Sequence, residues 1–144
     1  MLETYKEKRD FSKTREPSWE KMKEGKNLLF VIHKHAATRL HYDLRLELEW
    51  VLKSWAVPKW PSYNPDEKRL AVMVEDHPYD YKDFEWTIPK DEYGWWTVMI
   101  WDYWTYQPIY STWDKGKDEK AAMEMLEKWR LSFILNWKKL KWEF

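Results

Sequence analysis

Residues 40–49, LHYDLRLELE, alternate apolar and polar side chains without a break. Leu40, Tyr42, Leu44, Leu46 and Leu48 share one parity, while His41, Asp43, Arg45, Glu47 and Glu49 share the other. Successive side chains of an extended strand point to opposite faces, so a β-strand sorts this segment into one apolar and one polar face. The polar face is unusual in content. It offers two groups able to bind a metal, His41 and Asp43, followed by the fixed cation of Arg45. Glu47 and Glu49, further along the same parity, are expected to form an ordinary solvated strand face.

The rest of the chain extends the β pattern. An apolar, β-rich run from Leu28 to Ile32 leads into His33 and His35 and reaches the alternating strand through the short AATR link. VLKSWAV (51–57) predicts a third strand, stopped by Pro58 and the loop that follows. RLAVMVED (69–76) predicts a fourth, closed by HPYDY, and short β segments are expected around Trp95–Trp101 and Tyr106–Tyr110. One helix is expected over KDEKAAMEMLEKW (117–129), where Ala122, Met125, Leu126 and Trp129 make one apolar stripe. LSFIL and KLKWEF read as final strands flanking Asn136-Trp137. Many short strands with one late helix predict a mainly β fold, a compact β-barrel with one or a few peripheral helices. No repeat or internal boundary divides the 144 residues. They are expected to form one domain, 1–144, with a polar N-terminal segment (1–27) that wraps the surface and a barrel core (28–144).

Charge and cysteine content narrow the function. Lys plus Arg and Asp plus Glu are equal at 25 each, so any anion recognition must come from a local patch. The absence of cysteine excludes disulfides and thiolate sites. The charged N-terminus and the lack of a long apolar run predict no signal peptide, no membrane partner and a cytoplasmic monomer.

His35, His41 and Asp43 have the composition of a two-histidine, one-carboxylate metal site, which suits borderline divalent ions such as Mn²⁺, Zn²⁺ or Fe²⁺. His41 and Asp43 lie two apart on a strand and share a face, and His35 ends the neighbouring strand. Three protein ligands leave room for water or substrate, as in a catalytic site. Arg45 adds a bidentate binder of phosphate or carboxylate. Arg9, Arg39, Lys59, Lys68 and Arg69 supply further cations, and His77 is placed to act as acid, base or hydrogen-bond donor.

The motifs KRDF-x-x-T-x-E-P, HKHAATRLHYDLRLE, VLKSWAVPK, KRLAV-x-VEDHPYDY, F-E-x-T-I-P, E-Y-G and WD-x-x-T-Y occur in that order from about Lys8 to the last strand. Together they resemble the 3′-phosphoesterase domain of bacterial and archaeal DNA ligase D. The resemblance implies a β-barrel with metal-dependent activity, with Mn²⁺ the usual metal and Zn²⁺ or another divalent ion as alternatives. It further implies removal of 3′-terminal ribonucleosides and 3′-phosphates from DNA primer–template ends, leaving a 3′-OH, in the company of a ligase, a polymerase or an end-binding protein of non-homologous end joining. It makes His35, His41 and Asp43 the metal ligands and sets Arg45 and His77 against the scissile phosphate. Arg9, Asp10, Glu16, Lys59, Arg69, Glu75 and Tyr81 match positions that support activity or substrate binding. His33 stands where many members have Gln. A chain beginning at Met1 with no polymerase or ligase segment resembles a stand-alone form or an excised domain. A catalytically silent module that binds nucleic-acid ends is the alternative, and an unrelated two-histidine, one-carboxylate oxygenase is a third reading.

Composition adds a departure. Average usage predicts roughly ten glycines, whereas the chain has three glycines and 13 tryptophans. Trp50, Trp60, Trp86, Trp96 and Trp104 stand where the resembled family usually has Gly, and Trp129, Trp137 and Trp142 look similar. The pattern is that of systematic Gly→Trp replacement, native, engineered or erroneous in origin. It is expected to strain any turn that needs φ > 0. An aromatic surface on which unpaired bases stack is the competing reading.

Overall fold

Among the described residues, seven antiparallel strands form one sheet, and their order is set by short hairpins and one long strand, β6. The computed structural model describes residues 2–18, 25–59, 64, 66–91, 93, 96–136 and 138. The chain runs α1 (Glu3–Glu7), β1 (Leu28–Ala36), β2 (Leu40–Leu48), β3 (Val51–Val57), β4 (Val72–Pro78), a 3₁₀ turn (Tyr79–Asp83), β5 (Trp86–Ile88), β6 (Trp96–Pro108), α2 (Lys115–Glu127) and β7 (Phe133–Asn136). Hydrogen bonding follows the order β4-β3-β2-β1-β6-β5, and β7 also pairs with β6. The sheet curls into a half-barrel rather than closing by hydrogen bonds. The 3₁₀ turn links its two ends, β4 and β5, through the chain itself.

Both faces of β2 are covered, and the polar one lies inward. His41, Asp43 and Arg45 pair with His35, His33 and Val31 of β1, so these side chains share the concave face. Leu2 and Tyr5 of the N-terminal segment join Val31, Leu52 and Val98 there, together with Tyr79, Tyr81 and Phe84 from the 3₁₀ turn and its exit. The convex face gathers Phe30, Ile32, Leu46 and Tyr106, with Trp55, Trp101 and Phe133 packed against them. Leu40, on the expected apolar face, is 47% exposed.

Several expectations change. Glu47 is not solvated but fully buried. Its carboxylate accepts from the Leu29 N–H at 3.0 Å and from Lys115 Nζ at 2.5 Å, and its carbonyl accepts from the Tyr106 hydroxyl at 2.7 Å. Burial pushes its pKa up, and Lys115 opposes that rise. The N-terminal segment does not merely wrap the surface, because Tyr5 is fully buried. His77 lies within β4 rather than after it, and the two short β segments expected after residue 95 are one 13-residue strand, β6. Helix α2 starts earlier than expected because Asp114 caps it, accepting from the Lys117 N–H. It ends before Trp129, which is 88% exposed and off the apolar stripe. Positive φ is found at Trp50, Trp96 and Trp129, but not at Trp86 or Trp104, which pair normally in β5 and β6. Trp60, Trp137, Trp142 and the KLKWEF strand lie outside the described residues. Among the described residues, no helix is long and apolar enough to cross a membrane.

Glu47 ties the back of the ligand strand to α2, and removing one partner of a buried pair strands the other. Glu47→Ala is expected to cost about 3 kcal/mol in urea unfolding, with Glu47→Gln losing less because it keeps an acceptor for Leu29. A loss below about 0.5 kcal/mol, the range of ordinary surface changes, would return Glu47 to the solvated face.

Candidate metal centre and its arginine wall

The β1–β2 hairpin presents the metal-type ligands. His35 faces His41 directly across the ladder, and Asp43 follows two residues later on the same side. One ligand atom from each of the three falls within 4.8 Å of the others. His35 Nδ1 lies 3.7 Å from Asp43 Oδ2, and His41 Nε2 lies 3.4 Å from Asp43 Oδ1. The His41 Nδ1 proton is directed at the Arg39 carbonyl at 3.0 Å, which leaves Nε2 as the coordinating atom. Two imidazoles and one carboxylate converging on one point fit a borderline divalent cation. Hydrogen bonding to Asp43 raises the His41 pKa against the effect of burial. Burial pushes Asp43 up, but Arg45, His35 and His41 outweigh it and hold the carboxylate well below its ordinary range.

Arg45 is held by partners on three strands. Its Nε donates to His33 Nδ1 at 3.2 Å, Nη2 to Asp43 Oδ2 at 3.0 Å and Nη1 to Ser54 Oγ at 2.8 Å. The guanidinium carbon also lies 4.8 Å from the centroid of the Tyr81 ring. Burial, reinforced by the Arg45 charge, lowers the His33 pKa to about 3, so His33 is a neutral acceptor.

The second arginine comes from the N-terminal segment. Arg9 donates to Glu16 at 2.7 Å and to Glu75 at 3.3 Å, and its Nη2 lies 3.3 Å from His77 Nε2. Because Arg9 can only donate, Nε2 accepts, and the His77 proton sits on Nδ1, which faces the Glu75 carbonyl at 2.9 Å. Burial first, then the charges of Arg45 and Arg9, keep His77 well below its ordinary pKa and neutral. Burial favours the protonated form of Glu75, but hydrogen bonds and the Lys8 and Arg9 charges prevail and lower its pKa.

His35, His41, Asp43, Arg45, Arg9, Glu75, His77 and Tyr81 all line one cavity of about 390 Å³. Glu16 stands behind Arg9 and is 4% exposed. Asp10 lies outside, bonded to Ser12 and paired with Lys13. Arg69 pairs with Glu67, and Lys59 is exposed; neither lines the cavity. Ser54 was not anticipated. The two-residue turn after Leu48 sets a register that opposes Ser54 to Arg45, and that turn was the available signal. Tyr93, beneath Lys8 and part of the E-Y-G motif, also lines the cavity.

A curled β-sheet with a candidate metal cluster, walled by two largely buried arginines, defines the class of site. A profile described as the DNA Ligase D 3′-phosphoesterase domain matches residues 33–144, and the chain belongs to that family. It is 50% identical over 141 residues to a multifunctional non-homologous end joining protein LigD of Pseudomonas aeruginosa, covering 96% of this chain and 16% of that protein. A LigD of Mycolicibacterium smegmatis is 51% identical over 107 residues, covering 74% of this chain and 14% of the relative. One of Mycobacterium tuberculosis is 49% identical over 106 residues, with 73% and 14% covered. The chain thus spans about one sixth or less of the length of these relatives.

The buried neutral histidines predict acid sensitivity. With folded pKa values below the ordinary 6.5, His33 and His77 bind fewer protons than the unfolded chain does. Their contribution is therefore complete above about pH 6.5 and is lost as pH falls, by up to about 1.4 kcal/mol per pH unit for each. The contributions of Asp43 and Glu75, whose pKa values are depressed, disappear only at lower pH. Metal-free protein is expected to lose stability between pH 6.5 and 5, and His33→Gln to flatten that slope. Identical slopes in the two chains would show that His33 is not held neutral.

Proposed function

We propose that this chain is a divalent-metal-dependent phosphoesterase acting on DNA 3′ ends. It removes 3′-terminal ribonucleosides and 3′-phosphates and leaves a 3′-OH. The observation that carries this reading is the opening of the His35–His41–Asp43 cluster into the same cavity as Arg9, Arg45 and His77, in a chain of the 3′-phosphoesterase family. Mn²⁺ is the favoured ion, with Zn²⁺ accepted by the same donor set. When bound, such an ion polarises a phosphoryl oxygen and lowers the pKa of coordinated water.

The chain's own residues supply the rest. Arg45 and Arg9 are fixed before substrate arrives, so they meet charge developing on the phosphoryl oxygens without reorganising. Neutral His77 holds its proton on Nδ1 toward the Glu75 carbonyl, and its Nε2 accepts from Arg9, so that His77 orients the Arg9 guanidinium at the cavity wall. Asp43, kept ionised by Arg45, remains a ligand at neutral pH. Tyr81 and Tyr5 pack their rings against His77, at 4.7 and 5.0 Å, and fix its orientation. The relatives are multifunctional end-joining proteins, and we assign the same setting to this chain: 3′ ends prepared here pass to a polymerase or ligase.

The test is a primer–template whose primer ends in a single ribonucleotide, incubated with Mn²⁺ and, separately, with chelator. Metal-dependent shortening to a 3′-OH end is expected. His35→Ala should lower the rate by more than about 100-fold, the upper range for groups one layer outside a metal site, while leaving end binding intact. A cooperatively melting protein that binds the end and yields no product would instead be a silent end-binding module.

A further inference from the structure

Five non-glycine residues hold positive φ among the described residues, and four are tryptophan: Trp50 (72°), Trp96 (107°), Trp113 (61°) and Trp129 (56°), with Glu49 (46°) the fifth. The left-handed region crowds any Cβ and is a true outlier for bulky side chains. Tryptophan makes up 13 of 144 residues, so its dominance here is not compositional. Turn geometry independently calls for glycine at two of the sites. Trp50 is the second central residue of the two-residue β2–β3 hairpin, where positive φ at both positions marks a type I′ turn that favours Asn-Gly. Trp129 follows the C-cap of α2. Its N–H donates to the Leu126 carbonyl at 2.9 Å, and the Arg130 N–H donates to that of Met125 at 3.0 Å, the paired bonds of a Schellman motif whose left-handed residue is usually glycine.

Little packing offsets the strain, because Trp50, Trp113 and Trp129 are 54%, 82% and 88% exposed. Trp55 and Trp101 behave differently: they lie in ordinary strand backbone and pack on the convex core. Trp96 opens β6 opposite Ile88 and lines the cavity that holds the His35–His41–Asp43 cluster.

We infer that positions 50, 96, 113 and 129 are glycine positions of this backbone, that the working protein carries glycine at them, and that glycine at 96 widens the cavity to admit substrate. A codon with two readings, glycine in the protein's own cell and tryptophan elsewhere, connects four separate backbone positions through one residue type. It also raises the three glycines of the chain to seven, toward the roughly ten that are usual. The claim about substrate at 96 rests on the phosphoesterase reading; the glycine assignment does not.

Three variants test this: W50G/W113G/W129G, W96G and, as a control in ordinary backbone, W101G. The triple variant should melt at least about 5 °C higher than the parent chain, and W101G lower. An unchanged or lower melting point for the triple variant overturns the glycine assignment. W96G should raise kcat/KM on the ribonucleotide-ended primer at least about tenfold by letting the ester seat correctly, with Mn²⁺ affinity by calorimetry unchanged. Equal turnover by parent and W96G chains overturns the role at 96. Stabilisation of the triple variant, with no turnover by any chain that binds Mn²⁺, removes the phosphoesterase reading and keeps the glycine assignment. Peptide masses of the protein from its own cells complete the test: glycine at 50 supports the two-reading codon, and tryptophan there overturns it.

Discussion

A single guanidinium organises the interior of the half-barrel. Arg45 reaches His33 on β1, Asp43 on its own strand and Ser54 on β3, with the Tyr81 ring of the 3₁₀ turn close by. Burying a charge in this way is costly unless its hydrogen-bonding directions are used. Arg45 meets that condition with partners from three adjacent strands, so the strands must be in register before the charge is accommodated. The same cation holds Asp43 ionised and helps keep His33 and His77 neutral. Protonation states across the cavity therefore follow largely from the placement of one side chain.

Arg9 supports the opposite wall from outside the sheet. It arrives on the N-terminal segment, is anchored by Glu16 on that segment and Glu75 on β4, and stacks on Tyr5 with its guanidinium carbon 3.8 Å from the ring centroid. The hydrophobic contacts of Leu2 and Tyr5 with the concave core hold the segment in place. Its polar composition concealed this role, because Arg9 and Glu16 are turned inward and paired among neighbours whose charges stay exposed.

The period of two in β2 revealed a strand, its neighbours and the clustering of His35, His41 and Asp43, because strand geometry alone fixes which side chains share a face. It did not reveal which face was inside. Apolar side chains normally mark the interior, and here both faces are covered, with ions on the concave side made tolerable by pairing. Ser54 and Glu47 were missed for the same reason: a polar residue on a strand looks solvated until its partner on another element is known. The three residues of β5 and the five of α1 carry too little periodicity to register, and the continuity of β6 depends on its pairing with β1 through a bulge at Ile32/His33.

The two halves of the cavity differ in how far apart their parts lie along the chain. His35 and His41 face each other within one hairpin, with Asp43 beside them, so forming that cluster requires only a short loop to close. The wall of Arg9 and His77 joins residues separated by 68 positions and needs most of the sheet. During folding, or during synthesis from the N-terminus, the hairpin that carries the candidate ligands can form well before the wall that completes the cavity. Metal captured at that stage would act as a fastener for the hairpin and bias later strands toward the correct register, giving a bound cation a part in assembly as well as in the finished site.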